Sequence, residues 1–202
     1  MLQMPIKPTT GKFTKRRLEI LMAAASVFAE KGFHGCRTQD IADRLELRQA
    51  SLYYYFPTKE AALEAVCLHA IETAIARLAQ ITENPSASLA DRIRGVIHAY
   101  LHDLHAHRDC LIVLAEQRRY LSGDQQQAVR AQSRQYQVLL QQMFEQAAAQ
   151  GLLDPAIDCP LAVRALIDLC HCAALRLQRD TQQDVTHIID QYTRLFCSGI
   201  EH

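Results

Sequence analysis

Seven glycines and six prolines are all that interrupt 202 residues, and they fall between stretches whose apolar residues recur every three or four positions. A chain punctuated this sparsely and with that period has room for helices and little else. Ile20, Leu21, Ala24, Val27 and Phe28 make one stripe of a helix over about 14–31, which Gly32 and Gly35 end. Shorter helices are expected over 38–45 and 49–55, the second halted by Pro57. Thr58 can cap a long helix carrying Ala62, Val66, Ala70, Ile71, Ile75 and Leu78, which ends before Asn84-Pro85. Helices over 88–105 and 109–121, with a kink at 106–108, precede others over 124–150, 161–177 and 182–198. The stretch 161–177 is apolar on nearly every side, which predicts burial on two faces. No segment reads as a strand. The expected fold is all-α, with about nine helices: a three-helix unit over 1–58 and a helical bundle over 59–202.

Charge divides the chain at about the same place. Lys and Arg number 22 and Asp and Glu 22, a net charge of zero that by itself argues against a nucleic-acid partner. Residues 1–60, however, hold ten basic against six acidic side chains, and residues 61–202 hold twelve against sixteen. A basic head on an acidic body suggests two tasks. An apolar fraction of 49% excludes a disordered chain. No apolar run is long enough to span a bilayer and the start lacks a signal-peptide layout, so a cytoplasmic chain without a membrane partner is expected. Seven cysteines without framework spacing then read as reduced thiols.

Residues 38–56, TQDIADRLELRQASLYYYF, place two short helices around a tight turn inside the basic unit, a helix-turn-helix arrangement. Ile41, Ala42 and Leu45 can pack the first helix, Leu47 anchors the turn, and Leu52 and Phe56 hold the second helix down. Arg48, Gln49, Ala50, Ser51, Tyr54 and Tyr55 are left to face a major groove, where Arg and Gln suit base edges and Ala or Ser a thymine methyl. Tyr53 and Lys59 carry groups suited to phosphate. Arg37, at the head of the unit, belongs with the DNA-facing set. Lys12, Lys15, Arg16 and Arg17 either form a solvated helix start or track the DNA backbone.

At these residues the sequence resembles the tetracycline-repressor family of bacterial transcription regulators. Residues 14–32 (TKRRLEILMAAASVFAEKG) are similar to its first helix, and Ile41-Ala42, Leu52-Tyr53, Phe56, Lys59-Glu60 and Leu63 to its helix-turn-helix and the start of its fourth helix. The resemblance implies that Thr38, Tyr53 and Lys59 contact phosphates and that Gln39, Gln49, Ala50, Ser51 and Tyr54 face bases. It departs from the family at Leu45-Glu46, where Ala-Gly is usual, at Arg48, where a Ser or Thr cap is usual, and at Tyr55, where His is frequent. A geometry favouring glycine must therefore be met by Glu46, or the turn differs.

The resemblance further implies a homodimer formed through the last two helices, double-stranded operator DNA as partner, and a small-molecule effector held among the middle helices. The residues support the dimer on their own, since the helices over 161–177 and 182–198 would leave an apolar patch on a monomer. Leu166, Leu169, Ala173, Leu177, Val185, Ile188, Ile189, Tyr192 and Phe196 are the expected interface. Polar residues in apolar helices mark the expected pocket. They are His98, His102 and His105 on one helix face, with Tyr100, Cys110, Arg118, Tyr136, Met143, Phe144 and His171. The same histidines and cysteines leave open a metal- or thiol-responsive regulator, although no metal array is complete and no cofactor is expected. A helical-bundle enzyme is the remote alternative: there is no Glu-x-x-His, phosphate loop or nucleophile elbow, so no catalytic residue is assigned.

Overall fold

The computed structural model describes residues 11–101, 107–179 and 184–200, and among them every regular element is helical. In chain order these are α1 (Gly11–Gly35), α2 (Thr38–Arg44), α3 (Gln49–Tyr55), α4 (Lys59–Thr82), α5 (Leu89–Leu101), α6 (Arg108–Gln117), a single 3-10 turn (Arg118–Tyr120), α7 (Gly123–Ala149), α8 (Cys159–Arg179) and α9 (Val185–Ser198). Boundaries follow local chemistry. Thr58 caps α4 by accepting from the Ala61 N–H, and Asp184 caps α9 by accepting from the Thr186 and His187 N–H groups. Gly32 takes φ 71°, which a side chain would oppose, and kinks the end of α1.

Two apolar cores result. The first gathers Ile20, Leu21, Ala24, Val27 and Phe28 of α1, Ile41 of α2, Leu52 of α3, Leu63 and Val66 of α4, and Cys110, Leu111 and Val113 of α6. The second gathers Leu78 of α4, Ile93 and Ile97 of α5, Leu140 and Phe144 of α7, Leu166 and Cys170 of α8, and Ile189 of α9. The division falls along α4 rather than at residue 58. Because α6 packs on α1 and α4 together, the body contributes directly to the core of the N-terminal unit. Gln117 on α6 fastens that contact by donating from Nε2 to the Phe28 carbonyl at 2.7 Å, a buried bond between the two halves.

α8 shows how an almost wholly apolar helix is shared out. Leu166, Cys170, Ala173, Ala174 and Leu177 face the protomer's own core, whereas Leu161, Ala165, Asp168, Cys172 and Arg176 form an exposed stripe. Of the expected interface residues, Leu166, Ala173, Leu177 and Ile189 thus lie inside the protomer. Leu169, Val185, Ile188, Tyr192 and Phe196 are half-buried, the last four against the same core. The exposed apolar side chains of this end are Leu161 and Leu195.

The α2–α3 turn keeps the tight geometry without its usual glycine. Glu46 has φ 54°, and the Leu47 N–H bonds the Ala42 carbonyl at 2.9 Å. A side chain in the left-handed region is strained by about 1–2 kcal/mol, partly offset by its lower unfolded-state entropy. Glu46→Gly should therefore stabilise the fold by roughly 0.5–1 kcal/mol, about 1–4 °C in thermal midpoint. Thermal denaturation followed by circular dichroism checks this; an unchanged or lower midpoint would show that the turn carries no strain.

Candidate nucleic-acid interface and effector cavity

The helix-turn-helix is built as a braced unit. Arg44 of α2 grips Glu30 of α1 through two bonds of 2.8 and 2.6 Å and reaches Ser26 as well. The Arg44 guanidinium holds the Glu30 carboxyl below its usual range. Asp40 accepts from Lys31 Nζ at 2.7 Å and from the Arg37 N–H at the start of α2. α3 is then seated by buried Leu52 and Phe56 and by a polar trio at its start. Gln49 Nε2 donates to Thr38 Oγ1 at 2.7 Å, and Thr38 Oγ1 lies 3.1 Å from the Tyr53 hydroxyl.

The outer face of this unit is open. Arg37, Gln39, Arg48, Ala50, Ser51, Tyr53 and Tyr54 are exposed, with Gln39 bonded to Asp43 on its own helix. Arg48 begins α3 without a side-chain cap, which leaves its guanidinium projecting from the helix start. Five residues expected to face DNA, Thr38, Gln49, Tyr53, Tyr55 and Lys59, make contacts within the protein. Gln49 and Thr38 belong to the polar trio, and Tyr55 stacks on Phe13 with ring centroids 5.0 Å apart. Lys59 donates to the Phe33 and Cys36 carbonyls at 2.7 and 3.1 Å and covers the Phe33 ring, so it caps the carboxyl end of α1. Beside α3 an open furrow of about 620 Å³ runs along the start of α1, lined by Lys12, Lys15, Tyr54 and the Arg16–Glu19 pair, so that among the described residues its unpaired cations are the two lysines. Its cations favour the phosphate-tracking reading of the N-terminal basic cluster.

Inside the body, α4, α5, α6 and α7 enclose an apolar cavity of about 20 Å³. That is room for roughly one water. Tyr100 and Tyr136, both expected here, form part of its wall, and burial raises both phenols well above their usual range. Two more polar side chains lie in the wall: Arg77 of α4, which nothing in the sequence singles out, and His107 before α6, a sequence neighbour of the expected pocket histidines. Arg77 donates to the Ala99 carbonyl at 2.7 Å, and among the described residues the Nε2 of buried His107 has no hydrogen-bond partner. Burial first, then the charges of Arg77 and His69, lower the His107 pKa from 6.5 to about 4. A cavity of this kind, apolar but with a cation and an unpaired imidazole, suits an apolar ligand with one polar acceptor.

The other expected pocket residues are placed elsewhere. His98 is exposed, because the buried face of α5 is that of Ile93, Val96, Ile97 and Leu101. Cys110, Met143 and Phe144 are core residues, and His171 is half-buried on α8 outside the cavity wall. Arg118 lines a separate surface groove. His102 and His105 lie outside the described residues, and among those described no three His, Cys, Asp or Glu side chains gather closely enough to hold a metal. The thiols of Cys110 and Cys170 are buried and pushed up to about 12, which keeps them protonated and unreactive. Cys172, two residues from Cys170, points outward. No described helix is long and apolar enough to cross a membrane.

Comparison with known proteins places both halves. Residues 20–66 match the bacterial regulatory proteins of the tetR family, and residues 86–200 match the tetracyclin repressor-like C-terminal domain. The transcriptional repressor KstR2 of Mycobacterium tuberculosis is 26% identical over 191 residues, covering 94% of this chain and 95% of that protein. Among solved structures, AibR in complex with isovaleryl coenzyme A and operator DNA superimposes with a TM-score of 0.78 at 20% identity, covering 89% of this chain and 97% of that one. FadR of Bacillus subtilis in complex with stearoyl-CoA gives 0.74 at 22% identity, covering 91% and 99%.

The buried imidazole makes stability depend on pH. Above about 6.5, His107 is neutral in both states. As the pH falls through 6.5 the unfolded chain takes a proton that the folded chain refuses until about pH 4, so stability declines across that window. The loss is on the order of 2–3 kcal/mol. His107→Phe should remove most of that slope in urea midpoints measured between pH 7 and 4.5; a slope unchanged by the substitution would place the proton uptake elsewhere.

Proposed function

Because the chain belongs to the tetracycline-repressor family of bacterial regulatory proteins, we propose that it is a dimeric repressor. It binds a palindromic operator and releases it when an acyl-coenzyme A thioester enters the α4–α7 cavity. Members of the family are DNA-binding regulators of transcription rather than enzymes. The observation that carries the reading is the outer face of α3. Arg48, Ala50, Ser51 and Tyr54 are exposed on a helix anchored by Leu52 and Phe56, while the core beneath it is shared with α6 of the ligand-sensing body.

Residues 1–58 act as the reading head and 59–202 as the sensing and dimerising body. The head inserts α3 into a major groove, with Tyr53 and the Lys12–Arg16 furrow on the flanking phosphates. Thr38 and Gln49 turn from their mutual bond to the DNA. The acyl group is the apolar portion of the effector, and its thioester carbonyl is the acceptor that Arg77 and His107 meet. This choice of effector follows AibR and FadR, whose structures hold acyl-coenzyme A thioesters. A cavity that fits one water cannot take an acyl chain without moving its walls. The occupant parts α4 from α5, α6 and α7, and α4 carries Lys59, which is bonded to the end of α1. Ligand entry therefore shifts the head. For release to be complete, the thioester must bind the shifted state more tightly by several kcal/mol. Two protomers pair through the exposed stripe of α8 and the Leu195 side of α9, which covers the apolar groups left there. The protein works in the cytoplasm, where its operator is.

Anisotropy titration of a fluorescent palindromic duplex tests the head. Lys12→Gln with Lys15→Gln should weaken all sequences alike and lower the salt slope by about two, whereas Gln49→Ala should mainly relax base preference. A salt slope unchanged in the double variant would remove the furrow from the interface. For the body, Ala99→Phe fills the cavity from α5. By the same wall movement, a ring too large for this space should weaken operator binding without any ligand and leave no further response to acyl-coenzyme A. Undiminished release would move the effector site elsewhere.

A further inference from the structure

Four arginines meet on one surface of a body that is acidic overall. Arg118 and Arg119 of the 3-10 turn and Arg130 and Arg134 of α7 line a groove of about 530 Å³, with Val129 and Ser133 on its floor. Three arginines elsewhere are paired with carboxylates: Arg16 with Glu19, Arg44 with Glu30 and Arg94 with Asp190. None of the four has a carboxylate partner among the described residues. Arg119 donates to the Tyr120 hydroxyl and lies over its ring, and among the described residues the buried Ser133 hydroxyl has no hydrogen-bond partner. Four like charges held together without counter-ions repel one another, and a polyanion relieves that repulsion. Guanidinium forks fit phosphate oxygens two at a time.

Position decides between DNA and a small polyanion. α7 runs beside α4 in the same direction, since Gln125 bonds Glu64 at 3.0 Å and Gln132 reaches Glu72 at 3.5 Å. Glu72 stands about 20 Å along α4 from Lys59, so Arg130 and Arg134 flank a level well above the DNA-reading end. The groove does adjoin the effector cavity. Ser133 on its floor and Tyr136 in the cavity wall are three residues apart on α7, about 4.5 Å along the axis. The charge of Arg118 is also felt by Tyr100 across that wall.

We propose that this groove binds the nucleotide end of the effector, with the 5′-diphosphate and 3′-phosphate of coenzyme A on Arg118, Arg119, Arg130 and Arg134. The pantetheine arm then leads past Ser133 into the cavity. This rests on the acyl-coenzyme A reading above and adds where the charged end is held. The effector is thereby divided: the groove supplies affinity common to every acyl-coenzyme A, and the cavity selects the acyl group and drives the α4 shift.

Isothermal titration of the full chain with coenzyme A and with decanoyl-coenzyme A, at low and high salt, tests the assignment. Arg130→Gln with Arg134→Gln, both exposed and unpaired, should weaken coenzyme A binding tenfold or more. Its salt dependence should fall, while the thermal midpoint and operator affinity stay unchanged. Coenzyme A binding within twofold of wild type in the double variant overturns the groove, as does loss of operator affinity instead, which would give the arginines to DNA. If decanoyl-coenzyme A then still binds and releases the operator, only the groove fails. If coenzyme A binds through the arginines but neither decanoyl-coenzyme A nor shorter thioesters release the operator, the groove stands and the effector reading fails. Wild-type protein that binds neither compound overturns both.

Discussion

Everything downstream of the sequence depends on α6 packing against α1 and α4 at once. Cys110, Leu111 and Val113 fill the same core as Ile20, Leu21 and Phe28, and Gln117 bonds the Phe28 carbonyl across the junction. Close-packed interiors resist gradual deformation. A displacement of α6 or α4 is therefore passed to α1, and from α1 to the braced pair α2 and α3 through Arg44 and Glu30. Had the cores divided at residue 58, a ligand in the body would act only through the linker to α4. The shared core makes the head and body one mechanical unit with two chemical ends.

The two ends differ in how polar groups are treated. On the head they are exposed or held by bonds that DNA can replace, as with Gln49 on Thr38. In the cavity they are desolvated: burial lowers the pKa of Arg77 and of His107, and the His107 Nε2 has no partner among the described residues. An unpaired buried group costs about 1–3 kcal/mol, and a ligand that supplies an acceptor recovers it. In the proposed switch that recovery favours the state in which the cavity is occupied.

Much of this was legible in the sequence where local chemistry decides the outcome. Gly32, Pro57, Thr58 and Asn84-Pro85 mark helix ends in both readings. The stripe containing Leu52 and Phe56 is buried as its spacing requires, and Glu46 meets a glycine-favouring turn with φ 54°. What depends on a distant surface was not. His98, His102 and His105 share a face by spacing, but spacing does not say which face of α5 meets the core, and His98 points to solvent. Leu166 and Leu177 are as apolar as Leu161, and only the position of α8 against α5 and α7 sends them inward. Nothing in the sequence singles out Arg77, Arg130 or Arg134. Only the fold shows that the first is drawn into a cavity and that the others converge with Arg118 and Arg119.

The most direct test of coupling through the shared core is the distance between the two recognition helices of the dimer. Spin labels on an unnatural residue at position 48 avoid the exposed Cys172 and report that distance by electron–electron resonance. Without effector the distribution should centre near one DNA turn, about 34 Å. With saturating acyl-coenzyme A it should move by several ångströms and lose the original peak. The same distribution in both states, while the operator is released, would contradict transmission through α6 and α4.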